Sequence, residues 1–244
     1  MAYAEETSAL VQRLSELSTD LTAAERENLK FLLSMAAGGV LSGHAQKIPE
    51  PLRRSALGTT QRTLPKLLAG AREKFPTGIV YYGLAPFLSD ADLSALDEES
   101  RAFRPAAERF MDHYVASGAP TARDISLSPM VLSFLTENVG EIAPTRRANY
   151  LYYDEPGLGI DPHVDKDEFS LNILTMLEHR AGSGQRSELI LHPPGQDAIH
   201  LHLKAGESLI FFADSVTHQR TRTTADEAIR LVSFGYRTLG GTHE

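Results

Sequence analysis

Residues 150–165 read YLYYDEPGLGIDPHVD, and the interpretation of the whole chain starts from this stretch. Aromatic residues with period-two patterning end at a Pro156-Gly157 turn, and the segment after the turn carries His163 and Asp165. In an extended segment, residues i and i+2 point to the same face, so both side chains can reach one metal ion. The stretch therefore predicts a strand, a turn and a second strand that presents two metal ligands.

The rest of the C-terminal half shows the same strand-and-turn pattern. Short apolar runs alternate with turn residues such as those at 182–184, 193–195 and 205–206. Strands are predicted at residues 148–153, 169–177, 188–192, 199–203, 208–212 and 229–236, with shorter ones around His163 and at 219–223. About eight short strands separated by turns are typical of a sandwich or barrel. We therefore predict an all-β core at residues 146–240.

The first 145 residues read mainly as helix. Thr22 and Glu25 form a capping box, and Ser128 with Pro129 is a typical helix start. Helices are predicted at 10–17, 22–38, 89–102, 105–116 and 128–140, with one strand at 78–82. No clear linker separates the two halves, so we predict one α+β domain spanning residues 1–244, in which residues 1–145 buttress the β core.

Two further residues complete a candidate site. His218 follows an apolar strand, and two imidazoles with one carboxylate form the facial arrangement of non-haem iron(II) enzymes, which leaves three coordination positions open. On the predicted last strand, Arg230 shares a face with Val232 and Phe234. An arginine facing an apolar interior needs an anionic partner, and its guanidinium group suits a carboxylate.

These residues, in this order, resemble the Fe(II)/2-oxoglutarate-dependent oxygenase superfamily. The resemblance covers residues 150–237 and implies a double-stranded β-helix (jelly-roll) core in which His163, Asp165 and His218 bind iron. It also implies that Arg230 binds the distal carboxylate of 2-oxoglutarate, with Tyr153 as a second contact. The implied cofactors are Fe(II), 2-oxoglutarate and O2, and the implied reaction is oxidation of a substrate with release of succinate and CO2.

Composition restricts the partners and the location. The chain has 244 residues and a formal net charge of −8, and its basic residues are scattered, so we expect no nucleic-acid partner. The absence of cysteine excludes disulfides and zinc-thiolate sites. Neither a signal peptide nor a membrane span is recognisable, and a cytoplasmic location follows by default. We expect a small-molecule substrate, such as an amino acid or natural-product intermediate, and the sequence leaves the oligomeric state open.

Two alternatives remain at this point. One is a nucleic-acid or protein-side-chain oxygenase on the same core. The other is a cupin-like metal protein that does not use 2-oxoglutarate, for which His200 and His202 would be the competing pair. We interpret these two histidines as the solvent side of a strand.

Overall fold

The computed structural model describes residues 2–22, 25–26, 28–29, 32–33, 36, 40, 48–64, 74–165, 167–182, 186–193 and 196–239. These residues form five α-helices: α1 (Ala2–Thr19), α2 (Glu50–Thr63), α3 (Asp90–Phe103), α4 (Pro120–Ser126) and α5 (Pro129–Val139). Two 3-10 turns add to them, Arg104–Ala106 and Asp167–Phe169. None of the helices in the described part of the chain is long and apolar enough to cross a bilayer.

Eleven strands form two antiparallel sheets in the described residues. They are β1 (Ile79–Leu84), β2 (Glu108–Phe110), β3 (His113–Ser117), β4 (Ile142–Tyr153), β5 (Ile160–His163), β6 (Leu171–Arg180), β7 (Leu189–His192), β8 (Ile199–Leu201), β9 (Glu207–Phe211), β10 (Thr217–Arg220) and β11 (Ala228–Thr238). The large sheet has the order β1-β9-β6-β11-β4-β3-β2, and the small sheet has the order β5-β10-β7-β8. Strands β4, β6, β9 and β11 lie in the large sheet and β5, β7, β8 and β10 in the small sheet, as in a jelly roll, which confirms the predicted α+β class and the core of eight strands.

The large sheet is covered on both faces. Its inner face packs against the small sheet through a cluster that includes Leu174, Leu209 and Leu231. Its outer face packs against helices α3, α4 and α5 through a second cluster that includes Tyr150 and Val232. Because both faces are covered, the central strands β6, β9 and β11 are buried along most of their length.

The predicted starts of two helices are confirmed. Ser89 caps α3 in a capping box with Asp92, and Ser128 caps α5 with Pro129 at the first helical position. Both caps satisfy backbone N–H groups that have no partner inside the helix. The end of the helix predicted at residues 22–38 lies outside the described residues.

The helix predicted at residues 105–116 is wrong. In its place the chain forms the hairpin of β2 and β3, and Tyr114 and Val115 of β3 pair with β4. Aromatic and β-branched residues favour a strand where a partner strand is available, and here the partner is distant in sequence. Residues 1–145 therefore extend the large sheet at both of its ends, through β1 and through the β2–β3 hairpin, in addition to supplying helices.

Candidate metal centre

The structure brings His163, Asp165 and His218 together at one end of the small sheet. His163 is the last residue of β5, and His218 lies opposite it on β10. The Nε2 atoms of His163 and His218 lie 3.5 and 3.7 Å from Asp165 Oδ1. A metal ion bonded to each ligand at about 2.1 Å, which is typical of histidine and carboxylate ligands, requires only a slight contraction of this group. The donor set therefore fits a divalent first-row metal ion.

Both imidazoles are oriented by backbone carbonyl groups. His163 Nδ1 lies 2.9 Å from the carbonyl oxygen of Asp161, and His218 Nδ1 lies 3.0 Å from that of Val216. In each ring the Nδ1–H donates to a carbonyl oxygen, so Nε2 keeps its lone pair for the metal. Such outer hydrogen bonds fix the tautomer and the ring orientation of metal-binding histidines.

Asp165 is held by a hydrogen-bond chain that reaches across to the large sheet. Asn172 Nδ2 donates to Asp165 Oδ2 at 2.8 Å, which leaves Oδ1 directed towards the two imidazoles. Ser233 Oγ in turn donates to Asn172 Oδ1 at 2.9 Å. The backbone N–H of Asp165 also donates to the carbonyl oxygen of Ala213. Neither Asn172 nor Ser233 was predicted from sequence.

The protonation of the ligands follows from burial and from their mutual charges. Burial opposes protonation of His163, but the hydrogen bond and the charge of Asp165 outweigh burial and raise the pKa of His163. Burial and repulsion by His163 lower the pKa of His218 to about 4. Burial alone would raise the pKa of Asp165. The two imidazoles and the hydrogen bond from Asn172 outweigh burial, so the pKa of Asp165 lies below its ordinary value.

Metal binding should therefore displace one proton near neutral pH, and that proton comes from His163. We expect the apparent iron(II) affinity to rise about tenfold per pH unit up to the pKa of His163 and to level off above it, because only the neutral imidazole binds metal. Anaerobic calorimetric titrations in a series of buffers on both sides of neutrality measure this slope. A slope twice as steep would show that His218 is also protonated and would contradict the assignment.

An arginine that the sequence analysis did not select lies beside this group. Arg220 follows His218 by two residues on β10, so the two side chains point to the same face and their Cα atoms are about 7 Å apart. Arg220 is 4% exposed, and its Cζ lies 5.4 Å from the centroid of the Tyr153 ring. Its closest polar contact is Ser187 Oγ at 3.5 Å, and no described carboxylate forms an ion pair with it.

The charge of Arg220 is only partly compensated. Burial lowers the pKa of Arg220, while Tyr153 and Glu227 raise it, and a guanidinium group stays protonated in proteins. The oxygens of Glu227 accept hydrogen bonds from Ser187 and Thr224 and contact His179 Nε2 at 2.7 Å. A buried cation without a direct partner costs several kcal/mol, so this position favours an anionic ligand.

The structure does not bring Arg230 to the site. Arg230 does share a face with Val232 and Phe234, as expected, but that face packs against the helices and not against the small sheet. Its guanidinium contacts Asp97 of α3 and Glu178 of β6, each at 2.7 Å. The expectation that this face of β11 lines the interior of the jelly roll is wrong, because β11 is buried on both faces and its other face, with Ile229 and Leu231, is the inner one.

Tyr153, in contrast, lies on the inner face, next to Arg220. Burial raises the pKa of Tyr153 to about 12, with the charge of Arg220 opposing this rise and that of Asp165 adding to it. Its hydroxyl group is therefore a hydrogen-bond donor at neutral pH. His113 of β3 stacks on the Tyr153 ring with a centroid distance of 5.1 Å and an interplanar angle of 15°.

Histidines outside the site behave as the sequence analysis expected. His200 and His202 lie on the solvent side of the small sheet, where both contact the carboxylate of Glu188. Among the described residues, the group formed by His163, Asp165 and His218 is the one whose geometry suits a metal ion.

Comparisons with known proteins identify the fold. No family model and no curated protein matches the sequence. Among solved structures, an oxidoreductase of the 2OG-Fe(II) oxygenase family from Burkholderia pseudomallei is 18% identical at a TM-score of 0.56, over 70% of this chain and 89% of that one. The epimerase SnoN from nogalamycin biosynthesis, in complex with Fe3+, alpha ketoglutarate and nogalamycin RO, is 14% identical at a TM-score of 0.57. That match covers 69% of this chain and 82% of SnoN. HygX from Streptomyces hygroscopicus, with nickel, 2-oxoglutarate and hygromycin B bound, is 10% identical at a TM-score of 0.53. That match covers 67% of this chain and 84% of HygX.

At these identities the comparisons establish the fold and not the reaction. The resemblance inferred from residues 150–237 is confirmed at this level. The chain has the jelly-roll fold of the 2OG-Fe(II) oxygenase structures, and it carries inside that fold a His-Asp-His group suited to a divalent metal ion.

Proposed function

We propose that the protein is an iron(II)- and 2-oxoglutarate-dependent oxygenase that oxidises a small organic molecule. The observation that carries the proposal is the preorganised group of His163, Asp165 and His218 inside a jelly roll. Three protein ligands on one side of a metal ion leave room for a chelating co-substrate and for dioxygen, as non-haem iron(II) oxygenases require. When bound, iron(II) and 2-oxoglutarate supply the oxidising chemistry, with release of succinate and CO2.

In this proposal Arg220 takes the role that the sequence analysis gave to Arg230. Arg220 is buried, has no ion-pair partner among the described carboxylates and points to the same side as His218. A separation of about one strand repeat, roughly 7 Å, is of the order spanned by a five-carbon diacid whose other end chelates the metal. The guanidinium group can bind the distal carboxylate through two parallel, charge-assisted hydrogen bonds.

Tyr153 supports the same carboxylate and helps to exclude water. Its hydroxyl group stays protonated and can donate, and its ring covers one side of the Arg220 guanidinium. Phe211 packs edge-on against His218 with a centroid distance of 4.8 Å, and Leu189 and Leu191 belong to the same inner cluster. Apolar walls strengthen electrostatic interactions in the pocket because they lower the local dielectric constant.

The substrate class rests on charge. A formal net charge of −8 disfavours a polyanionic substrate such as a nucleic acid, so a free amino acid or a natural-product intermediate is the class that we propose. Hydroxylation of an unactivated C–H bond is the simplest reaction compatible with the site.

Succinate formation tests the proposed function. Purified protein with iron(II), 2-oxoglutarate and air should form succinate slowly on its own and faster when a substrate from a panel of amino acids and natural-product intermediates is added. Omitting 2-oxoglutarate is the control for succinate that does not come from turnover. A protein that binds iron(II) but neither forms succinate nor binds 2-oxoglutarate would be a cupin-like metal protein.

A further inference from the structure

A third imidazole, outside the candidate metal group, lies against the Tyr153 ring. His113 is the first residue of β3 and pairs with Phe110 across the β2–β3 turn. It is 3% exposed, its ring stacks on Tyr153, and the Phe110 ring meets it edge-on at 5.8 Å. This position was missed in the sequence because residues 105–116 were interpreted as a helix.

The imidazole of His113 has unused hydrogen-bonding capacity. Its Nδ1 atom is buried and has no hydrogen-bond partner among the residues that the structure describes. A buried polar atom without a partner costs about 1–3 kcal/mol, so such atoms are rare in folded proteins. Packing alone does not explain a histidine here, because phenylalanine would stack equally well without this cost. The orphaned nitrogen can therefore pair with a bound molecule, because the described residues supply no partner.

The surroundings of His113 indicate which molecule this is. Burial lowers the pKa of His113 to about 4, and the charge of His163 adds to this shift while that of Asp112 opposes it. The ring is therefore neutral near pH 7 and offers one N–H donor and one acceptor. Its stacking partner Tyr153 is within electrostatic range of both Arg220 and Asp165. The Tyr153 ring that stacks on His113 also lies 5.4 Å from the Arg220 Cζ atom, so His113 is one aromatic ring away from the buried arginine.

We propose that His113 is a third binding residue for the distal carboxylate of 2-oxoglutarate, donating a hydrogen bond from its ring beside Arg220 and Tyr153. This inference rests on the proposed function. It adds a contact from the β2–β3 hairpin, which lies outside the eight core strands. The contact adds no charge, so its contribution to binding is smaller than that of Arg220.

The test variant is His113→Phe, which keeps a flat ring for stacking on Tyr153 and removes both nitrogens. Binding of 2-oxoglutarate to the anaerobic iron(II) protein is followed by the metal-to-ligand charge-transfer band. We expect the dissociation constant to rise about tenfold to a hundredfold, the loss associated with one hydrogen bond to a charged group. His113→Asn, which retains a side-chain N–H donor, should restore part of the affinity, and iron(II) affinity should stay unchanged in both variants.

A second ligand shows which end of the co-substrate is contacted. 2-Oxopentanoate has the same chain length and the same chelating end but lacks the distal carboxylate, so His113→Phe should not change its dissociation constant. An equal loss for both acids, or no loss for 2-oxoglutarate, would overturn the assignment of His113. If the wild-type protein gave no charge-transfer band with 2-oxoglutarate, the proposed function and this inference would both fail. A normal wild-type titration that His113→Phe leaves unchanged would overturn this inference alone.

Discussion

His218→Ala should abolish succinate formation and weaken iron(II) binding by more than the roughly 10- to 100-fold that loss of an outer hydrogen bond to a metal ligand typically costs. The reason is that His218 supplies one of three ligand atoms, and the group contains no fourth His, Asp or Glu among the described residues that could replace it. Metal content after anaerobic loading and desalting, together with succinate assays, measures both effects. Far-ultraviolet circular dichroism should show that the fold is retained.

The chain offers a matched control in His202→Ala. His202 directly follows β8 of the small sheet, but its side chain lies on the solvent side and contacts Glu188. Iron content and succinate formation should stay at wild-type values in this variant. Wild-type iron content in His218→Ala, or lost iron in His202→Ala, would move the metal site away from the group identified here.

Arg220→Ala should raise the dissociation constant of 2-oxoglutarate by about thirtyfold to several thousandfold. Truncating one partner of a buried charge pair costs on the order of 2–5 kcal/mol, and 1.4 kcal/mol corresponds to a factor of ten. Arg220→Lys should be intermediate, because the ammonium group keeps the charge but loses the second parallel hydrogen bond. Anaerobic titration of the iron(II) protein with 2-oxoglutarate measures the effect, and iron(II) affinity should barely change, since Arg220 is not a ligand.

Two other arginines serve as controls for this experiment. Arg222→Gln should bind 2-oxoglutarate normally, because Arg222 is paired at the surface with Asp112 and Asp161. Arg230→Gln should lower the free energy of unfolding, since Asp97 and Glu178 lose their shared partner, yet the folded fraction should titrate normally. Lost binding in Arg230→Gln with a normal titration in Arg220→Ala would restore Arg230 as the carboxylate anchor.

The i, i+2 spacing that identified His163 and Asp165 also relates Arg220 to His218. Applied to His218, the same spacing places residue 220 on the same face of an extended strand. The signal for Arg220 was therefore present in the sequence. Arg230 was predicted instead, because the family that the sequence resembles has an arginine on the last strand. Asn172 gave no comparable signal, because nothing local links it to Asp165.

The grouping of His163, Asp165 and His218 and the number of core strands were predicted from the sequence alone. Both follow from local properties, namely the alternation of side chains along an extended chain and the chemistry that a metal ion requires of its ligands. The tertiary structure alone decided which face of β11 is the inner one. Ile229 and Leu231 on one face and Val232 and Phe234 on the other are equally apolar, because the large sheet is covered by the small sheet on one side and by helices on the other. The β2–β3 hairpin, and with it the position of His113, was likewise decided by pairing with β4, a strand that begins about 25 residues later in the chain.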